Sequence, residues 1–537
     1  MFKNFSFIFF SVSFVFLFIS CSKDDNEQIQ NFDTEESLRI IEISDVATTT
    51  ANVKFEFSNL LEPIQTGICW SEGMNPQIED NLTVVSNSQE LEQTLALFGT
   101  SSEKKYYVRA YAKTLSGVLY SKNKSFTTPE LCSNTNNNQD FYLTSQGEVN
   151  QLGALGLCSI NTLTIFSDNT NDPIIDLNPL LGIKQVNYMS ISANNLLTSL
   201  SGLETLQVVR YLGIFGNNSL INLDALEGVS GAVNELNIAN NEQLISIRGL
   251  KNIALIVQDT DYDGALDISY NNNLENLEGL EGIREIFGSV NIANNNLLRN
   301  LRGLDNFQKF DGTEIFISEN EAMENLSGLE NLQTIKGDFF VIDQDEFTSI
   351  EALSNVTHAE YFYFRRLKNL TNLNGLENID SAYTDEVQFY LWENENLTDI
   401  SAFENFTSLG VLSIIESPIT DYTQLSNLTK ISYNFSIREV DISSLNGLSN
   451  LESVGRIFLD RLYSLENLTG LENLRTAGMF GHSSQNGNVE IYHCENLTDF
   501  CGLEGLVTIG TMDGDFLASQ NAYNPTQQDI IDGNCSL

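Results

Sequence analysis

Between Asn272 and Asn295 the chain reads NNLENLEGLEGIREIFGSVNIANN, and the same phrase recurs from about Leu177 to the C-terminus. Setting its Gly-Leu step in register places Leu180, Leu203, Leu226, Leu250, Leu280, Leu304, Leu329, Leu353, Leu376, Phe403, Leu425, Leu448, Leu471 and Leu503 at one position. Most steps are 22 to 25 residues, with longer ones before Leu280, Phe403 and Leu503. A unit this short cannot bury its apolar face alone, so it must stack on copies of itself. Within each unit a strand such as Leu236-Asn237-Ile238 or Val290-Asn291-Ile292 alternates inward and outward side chains. Corner pairs such as Asn240-Asn241 and Asn294-Asn295 suit left-handed backbone and side-chain bonding to the main chain.

The recurring x-I-x-x-N-x-x-L-x-x-L-x-G-L-x-x-L string, across roughly residues 140 to 520, resembles the receptor L-domain of growth-factor receptor ectodomains. That family is a right-handed solenoid related to leucine-rich repeats. About fourteen turns exceed one receptor L-domain, so a single extended array is expected. The resemblance implies a fold and a binding role; it implies no particular ligand.

Ahead of the repeats, the texture from residue 36 to 128 is all-β. Gly67-Ile68-Cys69-Trp70-Ser71 before Asn75-Pro76, then Tyr106 to Ala112 and Ser125-Phe126-Thr127-Thr128-Pro129, resembles fibronectin type III-like modules of Bacteroidota surface proteins. Trp70 is expected in a sandwich core. The fold class is therefore all-β dominated: an N-terminal β-sandwich followed by a right-handed parallel β-solenoid of about fourteen turns. Residues 129–139 form a linker, residues 140–521 the capped solenoid, and residues 522–537 a C-terminal cap containing a short helix.

Residues 1–21 carry Lys3, an apolar run from Phe5 to Ile19, and Ser20-Cys21, the pattern of a secretion signal. Phe18-Ile19-Ser20-Cys21 resembles a bacterial lipobox, with Phe18 where leucine is usual. Cys21 is then the lipidated N-terminus of a chain anchored to the outer membrane rather than spanning it. Residues 22–35 are an acidic tether, and Lys23-Asp24-Asp25 resembles the export signal of Bacteroidota surface lipoproteins, which implies that the chain faces the cell exterior. An exported chain permits disulfides. Because a solenoid needs closed ends, Cys132–Cys158 is expected at the N-cap and Cys535 paired with Cys501 or Cys494 at the C-cap, with Cys69 a lone buried thiol.

A formal net charge of −45 argues against nucleic acid or an anionic membrane surface as a partner. His358, His482 and His493 lie far apart in the repeat, and the familiar catalytic, phosphate-binding and zinc motifs are absent. Glu204, Glu281, Glu330, Glu377 and Glu472 occupy repeat positions and are expected to be a solvated ladder. Asp259, Asp261 and Asp263 before Gly264 resemble the opening of a calcium loop, although Tyr270 stands where an EF-hand places its closing Glu. Calcium is the one cofactor that the sequence leaves open, with Asp267 and Asn271 near enough to complete a site. The Asn-x-Ser/Thr sequences at Asn369, Asn396 and Asn467 coincide with the repeat phrase and read as corners.

Strand register applied to the middle turns puts Phe362, Phe364, Phe389 and Leu391 inside and Tyr361, Tyr363, Arg365, Tyr390 and Trp392 outside. Most other turns have Ser, Asn, Asp or Ala there, such as Ser190 and Asn237. Tyr363, Arg365, Tyr390 and Trp392 are thus the candidate binding patch, flanked more weakly by Phe316, Phe458 and Tyr492. The chain is expected to be a non-catalytic surface protein binding an extracellular protein. Glycan capture on the same aromatic face is the alternative, and a polysaccharide-acting solenoid enzyme a remote one.

Overall fold

A computed structural model describes residues 37–46, 50–58, 63–85, 91–129, 132, 139–167, 171–257, 265–380, 387–478 and 489–537. The chain divides into two compact units, Met1–Glu130 and Leu131–Leu537. In the first, strands Leu38–Ser44, Thr50–Phe57 and Glu92–Phe98 make one antiparallel sheet. Gln65–Ser71, Asn81–Val84, Lys105–Thr114, Gly117–Tyr120 and Lys124–Thr127 make another. Both sheets supply one core, in which Val53, Phe55, Ile68, Trp70, Leu97 and Val108 are buried. Cys69 is a free buried thiol whose pKa burial pushes up to about 12.

The second unit is a parallel ladder running from Asp140–Leu143 to Phe516–Ser519. Its register is set by alternation: Leu236 pairs with Leu266 and Ile238 with Ile268, and these side chains are fully buried. A one-residue slip would turn that whole row into water. Two rungs, Asp140–Leu143 and Ser159–Phe166, precede the first Gly-Leu step and close the N-terminal end with the helix Gln146–Ala154. That helix starts at Ser145, whose hydroxyl accepts from the Glu148 amide at 3.3 Å. A second row of short parallel strands, including Gly231–Val233, Ile253–Ile256 and Glu285–Ile286, runs beside the main ladder.

Two devices repeat from turn to turn. At the corner after the strand, one residue adopts left-handed backbone: Asn240 at φ 57°, Tyr270 at 56°, Asn294 at 57°. The next residue turns a buried amide side chain inward. Asn271 donates to the Ile238 carbonyl at 2.7 Å and the Ser269 carbonyl at 3.0 Å, while its oxygen accepts from the Asn241 amide at 3.2 Å. Asn194, Asn217, Asn241, Asn295, Asn320 and Asn394 occupy the same column, so main-chain groups that the tight corner leaves unpaired are satisfied.

At the opposite side, the Gly-Leu-acid phrase makes a distinct turn. Gly202, Gly279, Gly303, Gly328, Gly375 and Gly470 have φ from 110° to 122°, which a side chain would disfavour. The acid two residues on accepts the glycine N–H, as Glu377 does from Gly375 at 2.8 Å and Glu330 from Gly328 at 2.7 Å. The acids expected to be merely solvated thus hold the turn. Where alanine replaces the glycine, as in Asp224–Leu226 and Ser401–Phe403, the turn is a short 3₁₀ helix instead.

Disulfides close both ends. Cys132 bonds Cys158 and Cys501 bonds Cys535, with Cα separations of 5.1 and 5.0 Å. Cys494 is free because it occupies the inward amide column: its thiol lies 3.3 Å from the Tyr492 carbonyl and its N–H donates to Asn521 at 2.9 Å. The C-terminal helix Gln527–Ile531 begins at Thr526 with a reciprocal capping box to Asp529. Among the described residues no helix is long and apolar enough to cross a membrane. Cys21 and the rest of residues 1–36 lie outside those residues.

Candidate binding face

Four successive rungs, Lys309–Ser318, Thr334–Gln344, His358–Leu367 and Gln388–Trp392, carry aromatic side chains on both faces. Inside, Phe362 and Phe389 stack at 5.3 Å with planes 3° apart, and Phe339 packs on Phe362 at 5.7 Å. These rings are fully buried. Their neighbours in the chain must point the other way.

Pairing Phe316 with Phe340, Phe340 with Tyr363, and Tyr363 with Tyr390 therefore stacks four rings in one outward column. Tyr361 and Trp392 flank it on either side. Centroid separations make the group continuous: Phe316–Phe340 at 5.9 Å, Phe340–Tyr361 at 5.6 Å, Tyr361–Tyr390 at 4.9 Å, and Tyr363–Trp392 at 5.1 Å. All six rings are half-buried, held against each other rather than standing free in water. Such pairs contribute roughly 0.5–1.5 kcal/mol each beyond their area. The ring planes are tilted or edge-on, with 69° between Tyr363 and Trp392 and 75° between Tyr390 and Trp392.

The polar tips are placed as well. Trp392 Nε1 donates to Ser413 Oγ at 3.0 Å and the Tyr390 hydroxyl to Gln388 Oε1 at 3.3 Å. Burial raises the phenol pKa values of Tyr361, Tyr363 and Tyr390, so these hydroxyls stay protonated donors. Arg365 lies beside Trp392 in the next column and pairs with Glu393 at 2.7 Å. Arg366, a left-handed corner residue, bridges Asp343 and Glu393, which are the corner residues of the turns on either side. On the far side of the rings stand Glu314, Asp338 and Glu360. The Asp338 carboxyl is pushed above its usual range, by burial first and by Glu360 second.

Tyr363, Arg365, Tyr390 and Trp392 thus lie together on the outer sheet. Sequence reasoning omitted Phe340 and left Tyr361 out of the patch, although Val341 inside fixes Phe340 outside by the two-residue period. Phe458 and Tyr492 form a separate pair at 6.1 Å, where Arg456 covers Phe458 at 5.0 Å and pairs with Glu490 at 2.9 Å. His493 meets Asp460 at 2.7 Å and His358 meets Thr357 at 2.8 Å; the two histidines share no site.

Asp259, Asp261 and Asp263 lie outside the described residues, as does His482. Of the residues expected to complete a calcium site, Asn271 is committed to the buried amide column and Asp267 accepts from Asn291 at 3.1 Å. Asp499 clusters with Cys501 and Cys535, but those two sulfurs are joined to each other and are no longer thiolate ligands. The Asn369 and Asn396 amides donate across turns to the Asp345 and Lys368 carbonyls at 2.8 and 2.6 Å, and Asn467 accepts from the Thr469 amide at 3.0 Å.

No curated protein matches the chain. The family model of the Receptor L domain matches residues 260–345, a stretch that includes Phe316 and Phe340, so this part of the solenoid is similar to a ligand-binding, non-catalytic type of extracellular domain.

Proposed function

We propose that the chain is a non-catalytic surface protein that binds an extracellular protein through the outward aromatic face of Phe316, Phe340, Tyr361, Tyr363, Tyr390 and Trp392. The continuous ring column carries this reading. Aromatic side chains with satisfied polar tips supply large contact area at low entropic cost, which is why Trp and Tyr dominate interface hot spots. Their mutual tilt favours a protein over a sugar, because stacking a pyranose needs a flat exposed ring face, and here Trp392 meets its neighbours edge-on. Cys21 serves as the lipid anchor in the outer membrane, residues 22–35 as the tether, and the antiparallel unit, read as fibronectin-like, as the spacer.

The test is binding of the chain from Ser22 onward to extracellular-matrix proteins and glycans, beside a Tyr390→Ala/Trp392→Ala variant. Protein binding weakened at least about tenfold by the pair of substitutions supports the assignment, since hot-spot truncations cost 2 kcal/mol or more. Protein binding that survives them moves the site elsewhere, and glycan binding lost in the variant replaces the protein reading by sugar capture. Anchoring is tested separately: a Cys21→Ser chain should leave the membrane fraction, and its retention there would refute lipidation at this residue.

A further inference from the structure

Charge is distributed unequally across the aromatic face. On the Trp392 side each guanidinium is neutralised: Arg365 pairs with Glu393, and Arg366 with both Asp343 and Glu393. The nearby ammonium groups are also taken, since Lys309 and Lys336 both reach Asp311, at 2.9 and 3.1 Å. On the opposite side, Glu314 pairs in register with Asp338, and Asp338 with Tyr361. Glu360 directly precedes Tyr361 in the chain. Among the described residues, none of these three carboxylates has an ion pair or side-chain hydrogen bond.

Asp338 is the one paired in register with a ring residue. It lies two residues before Phe340 on the same strand and opposite Tyr361, whose ring packs on Tyr390 at 4.9 Å. Its carboxyl is half-buried without a cation to offset the loss of water. Phenol and phenyl faces attract a cation within about 6 Å of the centroid, and a carboxylate beside them adds a charge-assisted acceptor.

Building on the proposed protein-binding role, we infer that Asp338, Phe340, Tyr361 and Tyr390 form the receptor for a cationic side chain, arginine or lysine, of the bound protein. Glu314 and Glu360 add field at the entrance, and the overall charge of −45 draws a basic partner in. The guanidinium or ammonium group sits against the Tyr361 and Tyr390 rings, with its N–H groups toward Asp338. No covalent step is involved.

The probe is a dye-labelled hexapeptide of alternating arginine and glycine, read by fluorescence anisotropy on the full chain at near-physiological salt, with a citrulline peptide as the uncharged control. Asp338→Asn should weaken binding about tenfold or more, the scale expected for a lost hydrogen bond to a charged group, and Tyr361→Leu about threefold or more, the scale of a lost cation–π contact. Glu235→Gln, the same charge change on a distant rung of the same column, should alter it less than about twofold, as a screened distant charge does. Equal losses in Asp338→Asn and Glu235→Gln would reduce the effect to net charge and overturn the inference, as would unchanged binding in Asp338→Asn. If Tyr390→Ala/Trp392→Ala abolishes protein capture while Asp338→Asn leaves peptide binding intact, the face stands and the cation receptor falls. If neither variant changes either measurement, both fall.

Discussion

At the scale of single residues, the repeat is held by side chains that water-exposure rules would pass over. Gly375 sits at φ 115° with its N–H on Glu377 at 2.8 Å, so the glycine and the acid act together. Gly375→Ala should destabilise the solenoid by about 1–2 kcal/mol or more, the cost of a side chain in left-handed backbone. Denaturant unfolding would measure this, and a neutral result would show that the turn relaxes into the 3₁₀ form of its alanine-containing counterparts. Asn295 is a stricter case, buried with its amide shared among Ile268, Ala293 and Asn320. Asn295→Leu fills the space but leaves main-chain groups unpaired, so a loss of about 1–3 kcal/mol is expected. A loss no larger than that of a surface substitution would contradict the role assigned to the amide column.

At the scale of elements, the rungs bury a continuous stack, so stability is set turn by turn and its weakest points are the ends. Removing the C-terminal disulfide by Cys501→Ser/Cys535→Ser opens a loop with a sequence separation of 34. The cost should be about 3–4 kcal/mol by loop entropy. Hydrogen exchange should show fraying confined to the last turns, from Val489 onward, while the aromatic rungs keep their protection; uniform deprotection would contradict turn-wise stability. Much of this element order was legible, because Ile268, Ile292 and Ile317 recur inside at steps of 24 and 25 residues and the Gly-Leu step marks most turns. The choice between Cys494 and Cys501 was not: Cys494 stands at the asparagine position of the recurring string, but that this position turns a buried side chain inward shows only once the corners are folded. Phe340 was missed for a related reason. Register shifts between Asp311 and Glu314 and between Ile335 and Asp338 absorb extra residues, so counting along the chain loses the phase that pairing restores. The helix Gln146–Ala154 escaped notice because its short, glycine-containing sequence carries little amphipathic signal, and only its Ser145 cap announces it.

At the scale of the whole molecule, a charge of −45 works against the compact state by self-repulsion while keeping the chain soluble. Added salt should therefore raise the thermal midpoint as screening shortens the Debye length to about 8 Å at 0.15 M. A falling midpoint would mean that local ion pairs such as Arg366 with Asp343 outweigh the global repulsion. The aromatic face is a place where this acidic surface is interrupted by packed rings, and the claim that a partner seats there is central to the account. The chain has two tryptophans, Trp70 in the core of the antiparallel unit and Trp392 on the face. In a Trp70→Phe chain, acrylamide quenching reports on Trp392 alone. Binding of a captured protein should lower the quenching constant and shift the emission to shorter wavelength, whereas saturating binding that leaves Trp392 as accessible as in the free chain would contradict the assignment of this face.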